Sequence, residues 1–422
     1  MASHFKRCQR NNAQIPSSAD QISVAAEIIR SNADLVVEIL QRLPAKSLLR
    51  FRSVSKEWLF LISSRRFSLL HWLQQQHQQF HDPKISGLFL TSELTDKSPF
   101  KFTKYIPLIN GGDENKSLAL NMNTSTTTIE HSCNGFLLLC CLTKQSNNLI
   151  DTSYHVCNPT TKRLSSLPWP FFFTQLYPPD YLYLFFDPSK SLHYKVVFFQ
   201  NSLLESGYGY SCQVHIYSSE THAWRGPQPN IGDHHYPFKA PLSVEFEHGV
   251  YCNGSVHWIS FGGRPSIYFD VDQERYCTMP SPPFELGTFY SFHFGESRGH
   301  LHLIPSTGYN LDIFEMESDY SKWSLKRRVS LDLLLVDLAS REEMVISFDT
   351  VRVLSLIHGE DEEDVFLVLF VDTTMIISYN IKDNTFKKLD DVASHHVSSS
   401  HDFSLFKRPH HVHPYIETLF PV

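Results

Sequence analysis

Two patterns of apolar residues divide this chain, and the change falls near residue 82. From Asp34 onward Leu35, Val36, Ile39, Leu40 and Leu43 recur at three- and four-residue spacing, one apolar stripe over two helical turns. Pro44 ends that helix, because it has no N–H to donate and crowds the preceding turn. A second short helix is expected over Ala45–Phe51. A third is expected from about Ser53 to Ile62, carrying Val54, Trp58, Leu59 and Ile62. Ser31 is the expected N-cap of the first. A helical extension rich in Gln and His continues to about residue 80. Three helices this short have too little interior for so many apolar side chains, so part of that surface must meet another domain or another protein.

Past His81-Asp82-Pro83 the helical spacing gives way to short β-rich runs punctuated by Pro, Gly, Asn and Asp, a character expected to persist to the C-terminus. One unit recurs: strand, polar turn, strand, closed by a bulky or basic residue. It is found as YHVCNPTTKRLSSLP (154–168), VHIYSSETHAWRGP (214–227), SIYFDVDQERYCTMP (266–280), LDIFEMESDYSKWSL (311–325) and MIISYNIKDNTFKKL (375–389). A companion, a Gly-led turn into an apolar strand, precedes several of them at 132–140, 251–259 and 295–304; a hairpin at 185–199 fills the same slot. The closing hairpins recur roughly every 50–60 residues, the scale of a four-stranded propeller blade. One such small sheet cannot cover both of its faces, so blades must stack around an axis. About five units fit between residues 86 and 422, with a sixth closed by strands from the two ends of the region.

Composition removes several function classes. The 422 residues are 42% hydrophobic and 13% aromatic, which excludes disorder as the general state. Lys plus Arg number 37 against 44 acidic residues, so a net charge of -7 gives no reason to expect nucleic acid or an anionic membrane. The first thirty residues lack the apolar stretch of a signal peptide, and the apolar runs at 136–142 and 365–371 are too short to span a bilayer. Eight cysteines without a CxxC pair read as free thiols in a reducing compartment, so a cytosolic or nuclear location is expected. There is no GxSxG elbow, P-loop, HExxH or GxGxxG.

The segment DLVVEILQRLPAKSLLRFRSVSKEWLFLIS resembles an F-box, the module that docks F-box proteins onto the Skp adaptor of cullin-RING ubiquitin ligases. One departure is the opening, where the family's usual Leu-Pro is replaced by Ser31 and Asn32. Farther on, SCNGFLLLCC, VCNPTTKRLSSLP, FDPSKSLHYKVV, VHIYSSETHAWR and HGVYCNGSVHWI resemble the plant F-box-associated domain, as does the tail Tyr415–Leu419. The Gly-Gly doublet that a kelch array repeats in every blade is missing, and so is a Trp-Asp dipeptide.

The resemblance implies an α+β multidomain chain: a flexible leader over 1–30, an F-box and helical linker over 31–80, and an all-β propeller-like domain of about five to six blades over 86–422. It implies a non-catalytic substrate-recognition subunit of an SCF-type (Skp–cullin–F-box) ubiquitin ligase. The partners would be a Skp-type adaptor, cullin and a RING subunit through it, and an unidentified target protein, with no cofactor, metal, nucleic acid or membrane. A scaffold acting outside a ligase is the first alternative, and a propeller enzyme with a vestigial helical unit the second. Leu35, Ile39, Leu43, Pro44, Leu48, Leu49, Val54 and Trp58 match the positions through which the family packs on its adaptor, with Trp58 the one better suited to the interior. Segment 169–186 places Trp169, Phe172, Tyr177 and Tyr181 among prolines, either as a stiff recognition loop or, the more ordinary use, as rings packed between blades. Acidic GEDEEDV (359–365) reads as a solvated hairpin loop. The clusters at His300/His302 and His410/His411/His413 lack a Cys or carboxylate at ligand spacing, and no metal is expected there.

Overall fold

The computed structural model describes residues 32–78, 85–93, 101–108, 127–144, 150–168, 181–203, 210–226, 249–284, 291–342 except 308, 351–391 except 360–362 and 373–374, and 411–422. Four helices come first: α1 (Ala33–Leu40), α2 (Ala45–Phe51), α3 (Lys56–Ser63) and α4 (Arg65–Gln78). The cap of α1 is Asn32 rather than Ser31. Its side-chain oxygen accepts from Asp34 N at 3.1 Å and Leu35 N at 3.3 Å, satisfying two N–H groups that the helix itself leaves open. Helix α3 starts later than its apolar spacing suggests, because Ser55 Oγ accepts from Trp58 N at 3.1 Å and fixes the first turn there. Ser64, with extended backbone, separates α3 from α4.

Strands β1 (Gly87–Glu93) and β2 (Lys101–Pro107) follow. Then come five antiparallel four-stranded sheets, each formed by consecutive strands. They are β3 (Thr127–Cys133) to β6 (Arg163–Ser166), β7 (Tyr181–Phe185) to β10 (Ala223–Arg225), β11 (Val250–Cys252) to β14 (Arg275–Met279), β15 (Ser291–Ser297) to β18 (Trp323–Ser330), and β19 (Val351–His358) to β22 (Thr385–Asp391). The last strand, β23 (His411–Tyr415), pairs with β1 in the order β2-β1-β23. These six sheets are the blades of a propeller closed by its own two ends, numbered here with the closing sheet as blade 1. The repeated hairpins of the sequence are the third and fourth strands of blades 2–6, and the Gly-led turns join first to second strands. One element departs from the β-rich expectation: helix α5 (Asp332–Glu342) joins blades 5 and 6. Leu331, Leu334, Leu335 and Leu338 bury one side of it in the cluster between those blades, a helical spacing inside an otherwise β-patterned region.

Each neighbouring pair of blades shares a separate apolar cluster, so the core is a ring rather than a single centre. Between blades 3 and 4, for example, Tyr183, Phe199, Trp258 and Phe269 meet edge to face, with centroids 5.2–5.8 Å apart.

Two polar devices recur between blades. In the Cys-Asn-Gly turn of blade 2, Cys133 Sγ and Asn134 Nδ2 both donate to the carbonyl of Phe186 in blade 3, at 3.4 and 2.8 Å. The same turn in blade 4 points Cys252 Sγ and Asn253 Nδ2 at the carbonyl of Gly299 in blade 5, at 3.3 and 2.9 Å. Blade 5 repeats the device with Ser297 and Arg298, which bond His358 and the Gly359 carbonyl of blade 6. Asn134, Asn253 and Arg298 have φ of 44, 50 and 54°, a left-handed turn that suits the twist of a two-residue hairpin. The second device runs backward: Trp224 Nε1 donates to the Pro168 carbonyl at 2.7 Å, and Trp323 Nε1 to the Pro280 carbonyl at 3.2 Å, each reaching the preceding blade.

Because all pairings are antiparallel, the first-to-second and third-to-fourth turns of blades 2–6 lie on one face of the ring. The helices are seated on that face. Arg65 of α4 meets His193 in the β7–β8 connection at 3.1 Å, and Lys46 of α2 forms a 2.6 Å ion pair with Glu417, just past β23. The opposite face of the propeller points away from the helices.

Candidate functional site

The first turn of α1 carries Leu35 and the second Ile39, on the side turned away from Val36 and Leu40. Val36, Leu40, Ala45, Leu48, Ile62 and Phe67 fill the interior of the helical unit. With that interior filled, other apolar residues are left in water. Leu35 and Ile39 of α1, Val54 in the α2–α3 turn, and Leu59 and Phe60 of α3 are exposed, Phe60 to 82%. Pro44 is exposed at the corner between α1 and α2. Six of the twelve large apolar side chains exposed among the described residues lie in the N-terminal helical unit, residues 33–78, far more than its share of the chain, which is the pattern of a surface open to a partner.

The eight residues expected from sequence to face a partner divide three ways. Leu35, Ile39, Pro44 and Val54 are exposed. Leu43, Leu49 and Trp58 are half-buried against the interior cluster, with Trp58 edge-on to Phe51 at 5.7 Å. Leu48 is fully buried, so it supports the surface from beneath rather than forming it. Leu59 and Phe60 were not among the expected contacts. Phe60 stands off the helical stripe defined by Trp58, Leu59 and Ile62, and a large apolar residue outside the core stripe was the available signal.

The surface has modest charge around it. Glu38 and Arg42 pair along α1 at 2.7 Å, one turn apart. Burial holds the imidazole of His71 below its usual range, so it is neutral and donates from Nε2 to the Leu43 carbonyl at 2.9 Å, tying α4 to the end of α1. The Arg52 guanidinium is pushed down by burial and by Arg163 of β6.

Comparison with known proteins bears on both halves of the chain. Residues 33–70 match the F-box domain, and residues 88–412 match the F-box associated beta propeller domain. The chain belongs to the F-box proteins with an associated propeller. The Arabidopsis thaliana F-box protein At5g07610 is 31% identical over 415 residues, covering 92% of this chain and 93% of the relative. F-box protein At5g49610 of the same plant is 28% identical, and F-box/kelch-repeat protein At3g23880 26%; each alignment covers 71% of this chain and 78% of the relative.

The exposed apolar ridge therefore lies on the F-box itself. The second expected site is less defined. Trp169, Phe172 and Tyr177 lie outside the described residues, while Tyr181 is half-buried at the start of β7, packed against the cluster between blades 3 and 4. Nothing among the described residues gathers three or more His, Cys, Asp or Glu side chains as a metal site. His411 and His413 stack on one another at 6.1 Å, His300 lies 3.8 Å from Glu315, and His410 is outside the described residues. Cys133, Cys140, Cys141, Cys157, Cys252 and Cys277 are free, and burial pushes the thiols of Cys140 and Cys157 up to about 12, leaving them protonated and poor nucleophiles. No helix among the described residues is long and apolar enough to cross a membrane.

Proposed function

We propose that this F-box protein is the substrate-recognition subunit of an SCF-type ubiquitin ligase. Its F-box would grip a Skp-type adaptor, and through it cullin and the RING subunit, while the propeller holds a target protein. The observation that carries this reading is the exposed ridge of Leu35, Ile39, Val54, Leu59 and Phe60 on an F-box whose interior is otherwise full. A target would engage the propeller face opposite the helices, which leaves both sites accessible at once. The chain then does no chemistry of its own: it raises the local concentration of target lysines near the charged ubiquitin carrier, a proximity effect. Such work would take place in the cytosol or nucleus.

The test is co-expression with a plant Skp-type adaptor followed by size exclusion, comparing wild type with the double variant Leu35→Asp/Phe60→Asp. A complex formed by wild type and lost in a variant of unchanged circular dichroism supports the reading. Well-folded wild type that forms no complex would sink it, and a scaffold acting outside a ligase, suggested by the missing Leu-Pro opening, would replace it.

A further inference from the structure

The last eight residues, Tyr415–Val422, belong to neither domain alone. They leave the innermost strand of the closing blade and run as a strap between propeller and F-box. Tyr415 is buried in the cluster of blades 1 and 2, with its hydroxyl 2.5 Å from Thr160 Oγ1. Asn158, fully buried in blade 2, donates from Nδ2 to the carbonyls of Thr418 and Phe420 at 3.1 and 2.8 Å. Thr418 N donates to Thr160 Oγ1 at 3.2 Å. Gly135 makes room for the strap: a Cβ there would lie 2.6 Å from the Thr418 side chain and 2.8 Å from the Ile416 carbonyl. Phe420 is buried among the apolar residues of blades 2 and 3, against Phe186 and Trp72 of α4.

Leu419 turns the other way. It is 2% exposed, and its neighbours are the F-box interior residues Val36, Leu40, Ala45, Leu48, Ile62 and Phe67. Ser68 Oγ of α4 donates to its carbonyl at 3.1 Å. The F-box thus takes one core side chain from a position some 350 residues away in the chain. A helical unit this small has little interior to spare, so one leucine is a large fraction of what holds it.

We propose that Leu419 completes the F-box core, so that the adaptor-binding helices become fully ordered only in a chain whose propeller has closed. Strand β23 closes the ring, and the strap that continues it delivers Leu419 to the helices. A chain stopped before its last strand, or with an open propeller, would present a loosened F-box and recruit the adaptor weakly. The long-range loop closure is met once, by the propeller, and the F-box gains from it.

Hydrogen exchange read by mass spectrometry on the full-length protein tests this, comparing wild type with Leu419→Ala, Leu419→Met and Asn158→Ala. Leu419→Ala should speed exchange in α1–α3 at least tenfold while β7–β18 keep wild-type rates, and Leu419→Met should restore most of the protection. Asn158→Ala, which removes the strap's main anchor in blade 2, should speed the same helices severalfold. Helix exchange within twofold of wild type in either alanine variant would overturn the proposal. So would acceleration spread equally over helices and blades, because the strap would then be holding the propeller alone. Adaptor affinity, which rests on the ligase reading above, is measured separately; a failure there leaves the exchange result standing.

Discussion

Phe60 in the F-box leaves 82% of its surface in water, whereas Trp258, a larger ring in blade 4, leaves none. The contrast extends across both regions. In the propeller each blade covers its faces with its two neighbours; blades 2, 4 and 5 close their first turns onto the next blade through Cys-Asn-Gly or its Ser-Arg-Gly counterpart, and blades 3 and 5 reach back through Trp224 and Trp323. The F-box keeps an apolar ridge uncovered and imports a core residue from the far end of the chain. A ring of repeats can satisfy itself, because every unit meets a copy of its own problem on each side. A short helical unit has no such neighbours, so it leans on the propeller inside and leaves its outer apolar face open to the adaptor proposed above.

That contrast is broken most severely at its buried end. Trp258→Ala should remove about 3–5 kcal/mol from the propeller, seen as a lowered denaturant midpoint, because the ring packs against Tyr183 and Phe199 and its Nε1 donates to the Tyr183 hydroxyl at 3.1 Å. A loss under about 1 kcal/mol would mean that the inter-blade clusters are not what holds the ring. Within the F-box, Leu48→Ala and Ile39→Asp should separate interior from surface. The first should cost about 2–5 kcal/mol of stability. The second should leave stability within about 0.5 kcal/mol while weakening adaptor binding by about 2–4 kcal/mol in titration calorimetry. Equal thermal shifts in the two variants would erase the distinction.

Smaller effects sharpen the account of the propeller. Asn134→Ala loses the bond to Phe186 and strains a left-handed turn, which should cost about 1–2 kcal/mol in chemical denaturation. Asn134→Gly relieves the strain and should recover part of it; an alanine variant as stable as wild type would remove the turn's clamping role. Acidification should weaken the propeller through its buried histidines. Burial pushes His131 and His257 down to about 4. His257 is held neutral with Nδ1 donating to the Val250 carbonyl, so its Nε2 accepts from the Tyr320 hydroxyl. The unfolded chain takes up protons below its ordinary histidine pKa of about 6.5 while the folded protein does not, so stability falls as pH drops from there toward 4. At pH 5.5 the loss should be on the order of 1 kcal/mol per buried histidine, and His257→Gln should reduce the pH dependence by about one such share. A midpoint constant from pH 7 to 5 would contradict this.

Much of the architecture was legible because it is local. Helix periods, Pro44, and paired hairpins at blade spacing each lie within a window of about twenty residues, and the structure places them as read. The misses have physical causes. Asn32 outcompetes Ser31 as a cap because its amide oxygen reaches two N–H groups, a matter of geometry at one residue's offset. Helix α5 was hidden inside β-patterned sequence, although Leu331, Leu334, Leu335 and Leu338 carry a helical spacing. Leu48 shares the apolar character of Leu35 and Ile39, and only packing tells interior from ridge. The tail Tyr415–Leu419 is legible as a match to the family's ending, but not as a bridge between the domains. In the structure α4 is joined by the strap, and no local pattern ties Leu419 to Val36.

The central claim is that the uncovered ridge of the F-box is a binding surface. The most direct measurement is calorimetric titration of a plant Skp-type adaptor into full-length wild type and Ile39→Asp, with thermal unfolding of both proteins recorded alongside. The account predicts a one-to-one complex for wild type, weakened at least thirtyfold in the variant (about 2 kcal/mol) with no matching change in unfolding. Equal affinities for the two proteins, or no binding by stably folded wild type, would contradict it.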